Sequence, residues 1–252
     1  CSLERCTTRW RFGYGANSWH PFVATLQEYK DGDASQYQGS ILERYHDQWQ
    51  PSSVREALFG TRSDSSSLSS LPPIGASMPW RRKSPEERAA TARSFSVKEN
   101  ERTGHPDVGI EEGYKYFGPV SPRKGQIEYK RLCNVYESIK SDGFERSPGW
   151  DGDIGGFLLR REGDYRFVVS FGHHRLAAVA ALEYECVPVK IIHPMVIDRR
   201  DAPHWPQVKH GAWTQDEAIR YFDYLFDFDA QNWAEKRGVL VEKPPATTQT
   251  GM

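Results

Sequence analysis

The side chains best suited to chemistry stand together in one short run of this 252-residue sequence, Ser170-Phe171-Gly172-His173-His174-Arg175. An apolar stretch typical of a strand precedes the run, and an alanine-rich stretch typical of a helix follows it. The first turn of a helix offers unpaired N–H groups and the positive end of the helix dipole. Arg175 adds a planar, permanently charged group for phosphate oxygens. The run therefore predicts a turn that holds the phosphates of a nucleotide.

Each of these side chains also has a structural explanation. Gly172 suits a tight turn whether or not a ligand binds there. His173 and His174 point in different directions on a helix, so one can face a ligand while the other caps or packs. Arg175 can instead form a salt bridge to Glu137 or Asp142. No metal site is expected, because no third ligand stands near the two histidines.

Composition excludes several classes of protein. The formal net charge of -1 argues against a protein that coats nucleic acid. No apolar run is long enough to cross a membrane and no secretory signal is present, and the four cysteines form no pair of metal-site spacing. We therefore expect reduced thiols in a cytoplasmic protein without membrane contact.

One basic patch interrupts this near-neutral composition, and no aromatic residues alternate with its cations. The pattern favours a solvated surface over a nucleic-acid site. Its members are Arg81, Arg82, Lys83, Arg88 and Arg93.

The elements that position the turn follow from periodicity and from capping signals. Residues 1–17 lack periodicity and are expected to be loose. Ser84 and Thr214 each precede a glutamate by three residues, a signal for a helix start. A clear helix is predicted over 126–142. The segments expected are an N-terminal helical region (1–60), a linker (61–83), a helix plus loop (84–120), a core (121–193), a C-terminal extension (194–240) and a disordered tail (241–252).

Residues 121–192 resemble the ParB/sulfiredoxin fold, also called the ParB-like nuclease domain. The resemblance rests on Ser121-Pro122-Arg123, a helix that ends at Ser138-Ile139-Lys140-Ser141-Asp142-Gly143, the turn at 172–175, and Leu182 ahead of Val187-Pro188-Val189. Glu183 replaces the glycine that usually closes the helix after the turn. The resemblance implies an α+β fold, with a small mixed sheet and helices at its core and helical extensions at both ends.

The residues of the turn distinguish the activities in that family. Sulfiredoxin carries a catalytic cysteine where this chain has His173, so cysteine chemistry is not expected. Chromosome-partitioning ParB proteins carry Gly-Glu-Arg-Arg and bind CTP and DNA, whereas His173 and His174 stand here. The archaeal free serine kinase carries Asp-Gly-His-His-Arg, which the turn resembles most, although Phe171 replaces the aspartate.

The resemblance implies that Gly172, His173, His174 and Arg175 bind the nucleotide. That nucleotide is ATP, ADP or CTP, with Mg²⁺ bridging its phosphates. Ser138 and Arg123 are further candidates for phosphate contact; the alternatives are that Ser138 only closes its helix and that Arg123 is an exposed loop residue.

The kinase also has a glutamate base ahead of its equivalent of the 126–142 helix, where this chain has no acid. The proton of an acceptor would then go to Glu128, the nearest carboxylate, or to His173.

The function expected is phosphotransfer from a nucleotide to a small hydroxyl-bearing molecule. Two alternatives remain open at this point. One is a ParB-like DNA-binding protein or nuclease, which the charge and the lack of a helix-turn-helix pattern make less favoured. The other is a regulatory module that binds a nucleotide without turning it over. A homodimer is also left open.

Overall fold

A computed structural model describes residues 1–61, 66–146 and 152–240 of the chain, so the predicted tail and part of the predicted linker lie outside the described residues. Helices dominate, and the described part also contains a small mixed sheet. The class is therefore α+β, as expected.

The strands in chain order are β1 (Cys6–Thr7), β2 (Gly113–Tyr114), β3 (Phe117–Val120), β4 (Gly155–Arg161), β5 (Asp164–Phe171) and β6 (Lys190–Asp198). The main sheet has the order β1-β5-β4-β6. Its central pair, β4 and β5, is antiparallel, and the outer strands β1 and β6 each run parallel to their neighbour. The two strands β2 and β3 form a separate antiparallel hairpin.

The helices are α1 (Pro21–Lys30), α2 (Ile41–Gln48), α3 (Val54–Phe59), α4 (Pro85–Arg102), α5 (Pro122–Asp142), α6 (His173–Ala181), α7 (Pro206–Lys209), α8 (Gln215–Asp227) and α9 (Ala230–Lys236). Ser84 and Thr214 close capping boxes at the starts of α4 and α8, so both predicted starts are confirmed. In such a box two amide donors that lack partners inside the helix are satisfied by side chains. The α5 helix begins at Pro122, four residues earlier than its apolar stripe indicated.

The expectation that residues 1–17 are loose is wrong. Cys6 and Thr7 pair with Phe167 and Val168 of β5, and Trp10, Phe12 and Tyr14 are buried. Short runs without periodicity escape pattern analysis because a two-residue strand has no period to detect. Buried side chains from every predicted segment between residues 1 and 240 pack in one hydrophobic cluster.

Two further elements differ from expectation. The segment 104–120, expected as loop, contains the β2–β3 hairpin, and the C-terminal extension contains the additional helix α9. The described part of the predicted linker is also not free of the core, since Leu68, Met78 and Trp80 are buried.

The predicted strand-to-helix turn is present between β5 and α6. Gly172 caps α6 with φ of 82°, in the left-handed region that favours glycine. A Cβ at this position would lie 2.8 Å from the Asp153 carbonyl oxygen and 2.9 Å from Ile154 Cα. The turn therefore requires glycine both for its backbone angle and for the close approach of the chain before β4.

Replacing this glycine should destabilise the protein more than replacing a glycine of similar backbone angle in open space. Gly39 has φ of 82° and no atom near its Cβ position. We expect Gly39→Ala to lower the free energy of unfolding by about 1–2 kcal/mol from backbone strain alone. Gly172→Ala should cost at least about 1 kcal/mol more, because its methyl group meets backbone atoms. Urea denaturation of both variants measures the difference, and equal losses would contradict this account.

Candidate functional site

The first turn of α6 places two histidines in the protein interior. The Nδ1 atom of His173 lies 3.0 Å from the Tyr14 hydroxyl, and its ring meets the ring of Tyr116 at 5.2 Å between centroids. Tyr14 in turn stacks on His20 at 4.2 Å. The hydrogen bond to Tyr14 occupies one ring nitrogen of His173 and so fixes the orientation of the imidazole.

His173 and Tyr14 are both uncharged at neutral pH. Burial lowers the pKa of His173 well below its usual value, and the nearby charges of Lys115 and Arg9 lower it further. Burial raises the pKa of Tyr14 well above its usual value. Such burial costs little only when the groups are neutral and hydrogen-bonded to each other.

His174 points to the opposite side of the turn, towards α5. Its Nε2 lies 3.6 Å from Oε2 of Glu128, and its ring contacts Phe22 at 5.1 Å between centroids. Burial lowers the pKa of His174 to about 3, with a further contribution from the charge of Lys115. Neither of the two facing atoms has a hydrogen-bond partner within the described residues.

Glu128, one of the two residues predicted to take a proton, is a buried counter-ion in this structure. Its Oε1 accepts from Lys124 Nζ at 2.6 Å and from Arg131 Nη1 at 3.0 Å. Burial alone would raise its pKa, but the charges of Arg131, Lys115 and Lys124 outweigh burial and hold the pKa at about 2. A carboxylate held ionised in this way is a weak proton acceptor, so the geometry favours a positioning role for it.

A second carboxylate completes what we call the charged cluster. Glu99 of α4 accepts from Lys115 Nζ at 2.7 Å and from Arg131 Nη2 at 2.9 Å. Burial opposes its ionisation, but the charges of Lys115 and Arg131 are stronger and lower the pKa of Glu99. The charged cluster consists of Glu99, Lys115, Lys124, Glu128 and Arg131.

The other predicted phosphate ligands lie apart from the histidines' contacts. Arg175 donates to the carbonyl oxygens of Gly152 at 3.0 Å and Glu145 at 3.3 Å, which joins α6 to the segment before β4. Arg123 is exposed and pairs with Asp107, and Ser138 is exposed near the other end of α5. Fifteen helical residues, or about 22 Å, separate those two positions, so they cannot contact one phosphate group together.

A concave surface beside the turn gathers positive charge instead. This basic pocket has a volume of about 390 Å³ and is lined by five cationic side chains, by His193 and by Ser170 of β5. Trp80, Met78, Ile192 and Pro194 form an apolar part of its wall. The cationic side chains are Arg9, Arg81, Arg82, Lys83 and Arg88.

Three cations of the basic pocket, Arg9, Arg81 and Arg88, lie close enough together for their charges to affect one another's pKa values. The charge of Arg9, followed by burial, lowers the pKa of Arg88 to about 10, and burial followed by the charge of Arg9 lowers that of Arg81 to about 10. No carboxylate lines the pocket, and no salt bridge to its five cations occurs in the part of the chain that the structure describes. The buried atoms Arg88 Nε and Ser170 Oγ also have no hydrogen-bond partner there.

The sequence interpretation of the basic patch as solvated surface is therefore wrong for two of its members. Arg82, Lys83 and Arg93 are exposed, but Arg81 and Arg88 are partly buried. Arg81 lies over the ring of Phe157 and donates to the carbonyl oxygen of His193.

Arg9 connects the basic pocket to the first turn of α6. It lines the pocket, and its charge also acts on His173 and on Tyr116. Arg9 and Tyr14 both come from the segment expected to be loose, and Lys115 comes from the segment expected to be loop. No periodicity marks them, and the Arg9-Trp10-Arg11 run was the one local signal available.

The donor set of the basic pocket does not fit a protein-bound Mg²⁺. This cation prefers carboxylate and other oxygen ligands in octahedral geometry. The pocket lining offers two serines and one threonine among its cations, and the described residues contain no group of three His, Cys, Asp or Glu side chains that could hold a metal.

Buried neutral histidines make stability depend on pH. Burial lowers the pKa values of His20 and His174 to about 3 and that of His46 to about 4. Below about pH 6.5 these histidines bind protons in the unfolded chain but stay neutral in the folded chain. Their contribution to the free energy of unfolding is therefore fully present above that pH and is lost as the pH falls towards 3. We expect His174→Gln to reduce the loss between pH 6 and pH 5 by about 1 kcal/mol.

Denaturation with urea at each pH measures this slope. The same substitution at His210, an exposed residue, is the control and should leave the slope unchanged. An unchanged slope in His174→Gln would mean that this imidazole is already protonated in the folded protein.

Comparisons of the chain with protein-family models, with curated proteins and with solved structures found no match. The resemblance to the ParB/sulfiredoxin fold thus stays a prediction. Among the described residues, no helix combines the length and apolar character needed to span a membrane.

Proposed function

We propose that this chain binds a nucleotide and holds its phosphate groups in the basic pocket. The observation that carries the proposal is the set of five cationic side chains around one concavity with no carboxylate in its lining. Clustered cations are unfavourable in the free protein and become favourable when an anion neutralises them. Guanidinium groups in particular match phosphate oxygens in geometry and charge.

The apolar part of the wall supports a ligand that is not only an anion. Trp80, Met78, Ile192 and Pro194 offer apolar surface beside the cations, as small-molecule sites commonly do. The volume of about 390 Å³ also falls among those of small-molecule pockets, which run from about 300 to 1,000 Å³. A nucleoside next to its phosphates fits this division of the pocket.

Calorimetry with ATP, ADP and CTP tests the proposal, with Arg88→Gln and Arg93→Gln as a matched pair. Both arginines belong to α4, but Arg93 is exposed and lies outside the pocket lining. Arg88→Gln should weaken nucleotide binding about tenfold, because a charge-assisted contact to phosphate is lost. Arg93→Gln should bind like the parent protein.

Stability provides the second readout of the same variants. Because Arg88 is repelled by Arg9 in the free protein, Arg88→Gln should leave the free energy of unfolding unchanged or raise it while nucleotide affinity falls. A decrease in both the stability and the nucleotide affinity of Arg88→Gln would indicate a packing defect. Absence of nucleotide binding by the parent protein would overturn the proposal, and tight salt-dependent binding of duplex DNA in its place would favour the DNA-binding alternative.

Phosphotransfer to a hydroxyl-bearing small molecule is the second candidate, and the position of His173 favours it. This imidazole is oriented by Tyr14 and lies near enough to Arg9 for that charge to lower its pKa, so an anion bound beside Arg9 would make it a better proton acceptor than it is in the free protein.

Incubation with ATP or ADP and a panel of amino acids and sugars tests this activity. We expect turnover that His173→Gln abolishes while nucleotide affinity stays within a few-fold of the parent. Nucleotide binding without turnover of any acceptor in the panel would favour the regulatory module.

A further inference from the structure

Three guanidinium groups of the basic pocket indicate how many phosphate groups the ligand has and whether it brings a metal ion. This inference rests on the proposed phosphate site. We infer that the pocket takes a polyphosphate chain free of metal, in which Arg9, Arg81 and Arg88 supply the positive charge that Mg²⁺ supplies to nucleotides in solution. The ligand then carries more negative charge than the about 1.5 to 2 of a monophosphate at neutral pH, on phosphate groups that are close together. Its class is the diphosphates and triphosphates rather than monophosphates.

The number of unneutralised cations argues for several negative charges. Arg9 and Arg88 are close enough for the charge of one to dominate the pKa of the other, and Arg81 is influenced by Arg9 as well. Within the described chain none of the three has a carboxylate partner. A monophosphate carries about 1.5 to 2 negative charges at neutral pH and leaves part of this repulsion in place, whereas a longer phosphate chain carries enough charge to neutralise all three guanidiniums.

Contacts within the protein also fix the position of one of these guanidinium groups and leave polar atoms near the pocket without partners. Arg81 is fixed by its hydrogen bond of 3.1 Å to the His193 carbonyl oxygen and by the Phe157 ring, 4.8 Å away. Arg88 Nε and Ser170 Oγ are buried and lack partners among the described residues. Polar atoms buried without partners cost free energy, and a phosphate oxygen that displaced the atoms covering either donor would supply the missing acceptor.

The same cations oppose a ligand that brings its own metal. A bound Mg²⁺ cancels two of the negative charges on a polyphosphate and occupies the oxygens that the guanidiniums would contact. No carboxylate in the pocket lining compensates by binding the metal. Mg²⁺ and the three arginines are therefore competitors for one phosphate chain.

Inorganic triphosphate, diphosphate and phosphate are the probes, because they contain no nucleoside. Calorimetry is performed in EDTA and then with excess Mg²⁺, with the ionic strength matched by NaCl. In EDTA the affinity should rise about fivefold or more with each added phosphate. Excess Mg²⁺ should weaken the binding of triphosphate about fivefold or more relative to the NaCl control.

Arg88→Gln shows whether the arginines are the cause. This variant should flatten the dependence on phosphate number and reduce the effect of Mg²⁺, while Arg93→Gln should retain both. Tighter binding of triphosphate with Mg²⁺, or equal affinity for phosphate and triphosphate, would overturn the inference.

This inference and the nucleotide proposal can fail separately. If inorganic triphosphate binds with the expected pattern and no nucleotide binds, the nucleotide proposal fails and the polyphosphate inference stands. If ATP and AMP bind equally well, or if ATP binds only with Mg²⁺, the nucleotide proposal stands and the polyphosphate inference fails.

Discussion

The carboxylate of Glu128 is buried and ionised, and much of the structure around α6 depends on that fact. An ionised group out of contact with water is tolerable only while its partners stay in place. Lys124 and Arg131 come from the same helix as Glu128, but Arg131 is shared with Glu99 of α4, and Glu99 also binds Lys115 in the turn of the β2–β3 hairpin. Helices α4 and α5 and the hairpin are thereby held around the first turn of α6, with His174 packed against the carboxylate.

The two ends of helix α4 differ in how their partly buried charges are balanced. Towards its C-terminal end Glu99 neutralises Lys115 and Arg131 inside the protein. Near its start Arg88 faces Arg9 and has no acidic partner among the described residues. Eleven helical residues, or about 16 Å, separate these two positions. The charges towards the C-terminal end are thus neutralised within the protein, whereas the positive charge near the start is the one that the proposed phosphate ligand would neutralise.

Local signals in the sequence were enough to predict the turn at Gly172, the capped starts of α4 and α8, and the mixed α+β class. They could not predict the partners of the turn. Tyr14 and Arg9 reach it because β1 pairs in parallel with β5, about 160 residues away along the chain. A two-residue strand has no period, and the sequence around a basic residue does not show whether its side chain faces solvent or lines a pocket. Which cations line the same pocket is decided by pairing between segments that are far apart in the sequence.

The charge of a ligand in the basic pocket would affect the pKa of His173 as well as the affinity of the pocket. The pKa of His173 is depressed first by burial and then by the fields of Lys115 and Arg9. An anion beside Arg9 offsets part of that field, so the imidazole becomes more basic when phosphate is present than when it is absent. An anion in the basic pocket would therefore weaken one of the causes that keep this imidazole neutral, whereas burial, the largest cause, would remain. The proposed phosphate ligand of the basic pocket would thus be coupled to the basicity of His173 through the charge of Arg9.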